Sequence, residues 1–127
     1  MDGSMEVPRK KLGDAAERAV ANYLEGKGYL VEFTNHLCRY GEVDVIARRD
    51  ELWVFVEVRM RKNAVFGSPA ATVRSVKQRR VAVAALDFLT RQRLYGRVAV
   101  RFDVVAVLGS GPDAQLEHYE GAFDSPF

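Results

Sequence analysis

The chain has one cysteine, Cys38, among its 127 residues. A lone thiol excludes an internal disulfide and fits a reducing cytosol, so a cytoplasmic protein is expected. Cys38 reads as a structural thiol rather than a nucleophile. No apolar run approaches the roughly 18 residues that a membrane-spanning helix needs. The start, Met-Asp-Gly-Ser-Met-Glu, is followed by no hydrophobic region, so no signal peptide is expected. Internal repeats, low-complexity tracts and a dividing linker are also lacking. That leaves a single domain over residues 11–127, preceded by a flexible N-terminus over residues 1–10. Met5 is a candidate natural start, with the residues before it a cloning remnant.

What is present is ordinary in amount and uneven in placement. Apolar residues make up 48% and charged residues 28%, as in a typical globular domain with a real core. Net charge is only +2, yet Arg59 to Arg101 holds eleven Lys/Arg and one acid, Asp87. From Phe102 onward there are five Asp/Glu and no Lys/Arg. A basic block in a folded segment is the footprint of a polyanion-binding surface; its bland counterpart is a solvated helix face.

Two segments with strand periodicity, Gly41–Ala47 and Leu52–Arg59, flank the charged turn Arg49-Asp50-Glu51. On the second, Leu52, Val54, Val56 and Val58 share the face expected to enter the core, and Trp53, Phe55, Glu57 and Arg59 share the other. If Arg49 pairs with Leu52, Asp44 falls opposite Glu57 and Glu42 opposite Arg59. Val43, Val45 and Ala47 then take the other side. Two carboxylates on one face repel unless a positive charge joins them. A hard divalent cation such as Mg²⁺ suits that place. The alternative is a surface ladder neutralised by Arg59 and its neighbours.

Around this hairpin, Leu12, Ala16, Ala19, Val20, Tyr23 and Leu24 recur at helical spacing and predict a helix from Lys11 to Glu25, ended by Gly26-Lys27-Gly28. Tyr29–Asn35 reads as an edge or near-edge strand, and His36–Tyr40 as a loop in which His36 is no ligand. Met60–Gly67 reads as a mobile stretch and Ser68-Pro69 as a short helical turn. Ser75-Val76-Lys77-Gln78 reads as a capping box opening a longer helix, with Val81, Ala84, Ala85, Phe88 and Leu89 as its buried stripe. Cations in that helix's first turn oppose its dipole, and a bound phosphate would reconcile them with it. Val98–Leu108 predicts a central strand, Gly109–Asp113 a turn and Leu116–Tyr119 a short edge strand, with Ala122-Phe123 packing back on the domain. The order predicts a three-layer α/β/α domain around a mixed sheet.

Several stretches together carry a family resemblance. They are Gly13–Glu17, Arg39–Ala47, Val54–Arg59, Phe66–Ala70, Lys77–Arg80 and Arg101–Val105. Their residues and order resemble the bacterial YraN-type proteins of family UPF0102, within the PD-(D/E)xK restriction-endonuclease-like superfamily, similar in fold to archaeal Holliday-junction resolvases. The resemblance implies a nuclease-like fold, Asp44 and Glu57 as ligands of Mg²⁺ or Mn²⁺, Glu17 as an added ligand, and Gln78 near the site, where it orients a water or a phosphate. Gln78 has the alternative of completing the capping box, and Glu17 that of a solvated helix glutamate. The superfamily's lysine position is Arg59 here. A guanidinium stays charged and cannot serve as a base, but it can clamp a phosphate oxygen.

Arg61, Lys62, Lys77, Arg79 and Arg80 read as phosphate contacts, which give salt-sensitive affinity and little sequence information. Nothing resembles a base-reading helix. The expectation is a Mg²⁺-dependent, structure-selective endonuclease acting on branched or single-stranded DNA, with no membrane partner and, by the resemblance, a homodimer. The alternatives are a non-catalytic nucleic-acid-binding module of the same fold and an adaptor whose basic block meets an acidic protein.

Overall fold

The computed structural model describes residues 9–61, 75–109 and 113–124. Its elements are α1 (Arg9–Gly26), β1 (Leu30–Cys38), β2 (Gly41–Arg49), β3 (Leu52–Arg61), α2 (Ser75–Arg91), β4 (Ala99–Leu108) and β5 (Gln115–Phe123). The sheet has the order β1-β2-β3-β4-β5. All neighbours are antiparallel except β3 and β4, which are parallel and are joined through α2.

Each sheet face has its own core. Ala16, Val20 and Leu24 of α1 pack on Val45, Ala47, Val54, Val56, Val105 and Val107. Val81, Ala84, Ala85, Phe88 and Leu89 of α2 pack on Ile46, Trp53, Phe55 and Phe102. The architecture is therefore the expected three layers. Both faces of β3 are buried, so its Trp53 and Phe55 side is core as much as its valine side.

α1 ends as its glycines suggest. Gly28 sits at φ +95, and the N–H groups of Gly28 and Tyr29 reach back to the carbonyls of Glu25 and Leu24 at 3.0 Å each. That pairing is the Schellman closure, which only a left-handed residue permits without strain.

Three expectations need correction. β1 does not stop at Asn35. It continues through His36 to Cys38, leaving only Arg39 and Tyr40 as the turn into β2. Asn35 adopts φ +54 and the β1–β2 register shifts between Val31 and Phe33, so the irregular polar stretch is kinked strand rather than loop. His36 is not idle, since its Nε2 lies 2.9 Å from Asp87 Oδ2 on α2. β5 runs to Phe123, well past Tyr119, because Phe123 stacks on Phe102 at 5.0 Å and extends the pairing. The short turn expected at Ser68-Pro69 lies outside the described residues.

The third correction concerns β2. Register follows expectation from Arg49↔Leu52 to Val45↔Val56. Val45 and Ala47 then face α1, but Val43 packs beside Ile46 and Phe55 against α2. Strict alternation thus breaks across Val43–Val45, and β2 turns as it leaves β3. Asp44 sits in that break.

Candidate active site

The break in β2 is closed by a side chain. Asp44 Oδ2 accepts the Val58 N–H at 2.8 Å, taking the place of a ladder carbonyl where the regular pairing has ended. Glu57 on β3 lies against the same carboxyl, close enough for a hydrogen bond between the two when one of them is protonated. The central expectation therefore holds, as the two acids meet across neighbouring strands, though through a local distortion rather than plain cross-strand alignment.

Two carboxyl groups can share a hydrogen bond only if one holds a proton. Burial first, then the charges of Glu57 and Glu17, push the Asp44 carboxyl up to about 8, against the opposing pull of the Val58 N–H. Glu57 has a cation of its own. Lys77 Nζ, from the first turn of α2, lies 2.8 Å from Glu57 Oε2. The Glu57 side chain is 5% exposed and that of Lys77 is 45% exposed, so the pair bridges the interior and the surface. Glu17 approaches from α1, its Oε1 accepting from Asn35 Nδ2 at 2.7 Å. Glu42, expected opposite Arg59, instead lies exposed on the rim of a cleft of about 630 Å³ shared with Glu17, Arg18 and Asn35.

The remaining candidates gather at the same end of the sheet. Arg59 is half-buried, two residues beyond Glu57, and Arg61 closes β3. Gln78 is half-buried, whereas Arg79 and Arg80 are exposed on the turn of α2 that carries Lys77. Lys62 lies outside the described residues. The mounting is tight, because a Cβ on Gly41 would come within 2.9 Å of the Arg80 carbonyl carbon. Only glycine lets β2 start against the backbone of α2.

The model of the uncharacterised protein family UPF0102 matches residues 16–107, which span Glu17, Asp44, Glu57 and Lys77. The chain belongs to UPF0102. A UPF0102 protein of Myxococcus xanthus is 48% identical over 117 residues, covering 92% of each chain. One from Rhodococcus jostii is 44% identical over 88% of this chain and 95% of its own. Among solved structures, the Holliday junction resolvase Hjc from Archaeoglobus fulgidus aligns over 85% of this chain and 71% of its own, at 16% identity and a TM-score of 0.48.

What the carboxylate end of this UPF0102 chain could hold follows from its donors. The described residues contain no ready-made cluster of three or more His, Cys, Asp or Glu suited to a metal. They do contain a pair of carboxyls whose excess negative charge is relieved by a retained proton and an ammonium. Carboxylate oxygens of this kind fit a hard divalent cation that keeps several waters, once the cation takes the place of the proton and the ammonium.

The sequence reading missed two parts of the molecule. Lys77 was assigned to phosphate alone and not to Glu57. The second is a buried network on the α1 side. Asp103, fully buried, binds Arg101 Nε and Nη2 at 2.8 Å each, His118 Nε2 at 2.7 Å and the Gly121 N–H at 3.0 Å. Arg101 reaches on to the Tyr29 hydroxyl at 2.7 Å, and His118 Nδ1 lies 3.1 Å from the Tyr23 hydroxyl. Burial alone pushes the Asp103 carboxyl up, but the bonds from His118, Arg101 and Gly121 outweigh it and hold the carboxyl below the usual range. The signal was available, since a lone acid in the otherwise apolar run Phe102–Leu108 has to find buried partners.

Proposed function

We propose that this UPF0102 protein is a divalent-cation-dependent nuclease that hydrolyses DNA phosphodiesters at branches or in single-stranded segments. The observation that carries the reading is the close approach of Asp44 and Glu57 on neighbouring strands, with Lys77 paired to Glu57 on the outer side. Two carboxylates held this close repel each other, and a Mg²⁺ or Mn²⁺ in place of the proton and the Lys77 ammonium would relieve that repulsion. When bound, the cation supplies charge neutralisation and a polarised water.

The chain's own residues do the rest. Asp44 gives up the shared proton and, with Glu57, presents carboxylate oxygens. Glu17 adds negative charge behind Asp44. Lys77, released from Glu57, is left facing solvent, where a substrate phosphate lies within its reach. Arg59 holds a non-bridging oxygen through its fork, because a guanidinium at this place binds but cannot accept a proton. Gln78 orients the water or the phosphate. Arg61, Lys62, Arg79 and Arg80 contact flanking phosphates, which makes binding steeply salt-dependent.

The test is cleavage of a panel of junction, flap, single-stranded and duplex DNA with Mg²⁺ or Mn²⁺. Cleavage abolished by Asp44→Asn and by Glu57→Gln supports the reading. No cleavage of any substrate with either ion removes it. A second reading, a binding module without turnover, is favoured by Arg59 and by a site whose charge Lys77 already balances. It predicts salt-sensitive DNA binding that survives Asp44→Asn. A symmetric junction substrate also calls for a homodimer, which light scattering with and without DNA measures.

A further inference from the structure

The β1–β2 turn carries a feature that the proposed chemistry does not use. Arg39 and Tyr40 alone bridge the paired residues Cys38 and Gly41. Tyr40 is 66% exposed and Leu37 72% exposed, an unusual outlay of large apolar surface on one tight turn. Beside them runs a groove of about 500 Å³ between the end of β1 and the outer face of α2. Leu37, Cys38 and Val83 supply its apolar lining, and Arg39, Tyr40, Arg91, His36 and Asp87 its polar and aromatic lining. The Arg39 guanidinium lies 5.1 Å from the Tyr40 ring centre. Arg91 holds Asp87 through Nε at 3.0 Å while its side chain stays 72% exposed. The His36–Asp87 pair closes one wall.

We propose that this groove takes an unpaired nucleobase of a DNA strand, stacked on Tyr40, with Arg39 and Arg91 against the flanking phosphates. This deepens the nuclease reading and rests on its DNA ligand, but not on its cation or its turnover. Three observations support it. The lining combines apolar side chains and the Tyr40 ring with two guanidinium groups, which complements an aromatic base on a phosphate backbone and disfavours a cationic or purely apolar partner. The platform is fixed, since Gly41 is pressed against the Arg80 carbonyl and holds the turn to α2. The spacing also suits a strand, because Tyr40, in the turn just before β2, precedes Asp44 by four residues, at most roughly 13 Å of extended chain. At about 3.4 Å per stacked step, that is some four nucleotides. A base captured by Tyr40 would thus mark a place where pairing has ended a few steps from the scissile phosphate, which gives selectivity for branches and ends without reading sequence.

The experiment is a fluorescence-anisotropy titration of the full chain, at low salt and without divalent ions, against a labelled single-stranded oligonucleotide and its matched duplex. Tyr40→Ala is expected to weaken single-strand binding about 5- to 100-fold, the loss of one base–aromatic stack, and duplex binding less than about 2-fold. Tyr40→Trp is expected to restore single-strand binding. A 2-aminopurine placed in the strand is expected to be quenched by wild type and by Tyr40→Trp, and not by Tyr40→Ala. Equal losses on both DNAs, or no loss on either, would overturn the proposal. Because Tyr40 is exposed, unchanged thermal melts will separate a binding defect from misfolding. If wild type binds single strands in this way but cleaves nothing, the nuclease reading falls and the subsite stands. If wild type binds no DNA at low salt, both fall.

Discussion

Asp44→Asn tests the carboxylate pair without any assumption about catalysis. The folded carboxyl is pushed up to about 8 from 3.8, first by burial and then by the charge of Glu57. A group that holds its proton more tightly in the folded state stabilises the fold below about pH 4. It loses that contribution as the pH rises through about 8. Each unit is worth about 1.4 kcal/mol, so the ceiling near pH 8 is on the order of 5 kcal/mol. Asp44 keeps some solvent contact and shares its proton with Glu57, which reduces the expected figure to roughly 2–4 kcal/mol. Asparagine has the same shape, cannot ionise, and still offers an oxygen to the Val58 N–H. The variant should therefore melt higher than wild type at about pH 8 in the presence of a chelator, by on the order of 10 °C for a domain of this size. The gap should close toward about pH 4. Thermal melts followed by circular dichroism across that range read it directly. A variant that melts at or below wild type at about pH 8, or a gap that does not change with pH, would refute the account of the pair.

Gly41→Ala should cost about 1–3 kcal/mol in denaturant titration, because its methyl meets the Arg80 backbone, which has no flexible end to move aside. Lys77→Ala should destabilise by about 1 kcal/mol, since it strands a buried Glu57 carboxylate, and added Mn²⁺ should raise its melting temperature more than that of wild type. Asp103→Ala should cost about 3–5 kcal/mol by leaving Arg101 and His118 without their acceptor. The depressed Asp103 carboxyl further predicts that wild type holds this contribution above about pH 4 and loses it as the pH falls below, an acid limb that urea titrations should find missing in Asp103→Asn.

The sequence was most legible where residue type and period agreed. The alternation from Leu52 to Arg59 and the tight charged turn before it were enough to place Asp44 against Glu57. The apolar spacing of Val81, Ala84, Ala85, Phe88 and Leu89 gave the α2 stripe. Reading failed where a residue's state depends on something distant. His36–Tyr40 reads as a loop, yet pairing with β2 and the Asp87 contact draw His36, Leu37 and Cys38 into β1. The break at Val43–Val45 is invisible to a period-two argument because Val43 and Val45 are both ordinary strand formers that fit the alternation. The lone acid Asp103 signals that buried partners exist, but they come from α1 and β5 as well as β4, and no local pattern names them. Lys77 meets Glu57 only because the chain crosses back over the sheet through α2.

That crossover also bears on the order in which the molecule assembles. β1, β2 and β3 are joined by two-residue turns, so both acids belong to a meander of low contact order that forms early. The parallel β3–β4 pairing closes a much longer loop, and the ammonium that neutralises Glu57 arrives with it. The nascent hairpin must therefore carry two unshielded acids through the slow step of folding. A divalent ion present from the start is expected to speed refolding while leaving the unfolding limb of the chevron less affected.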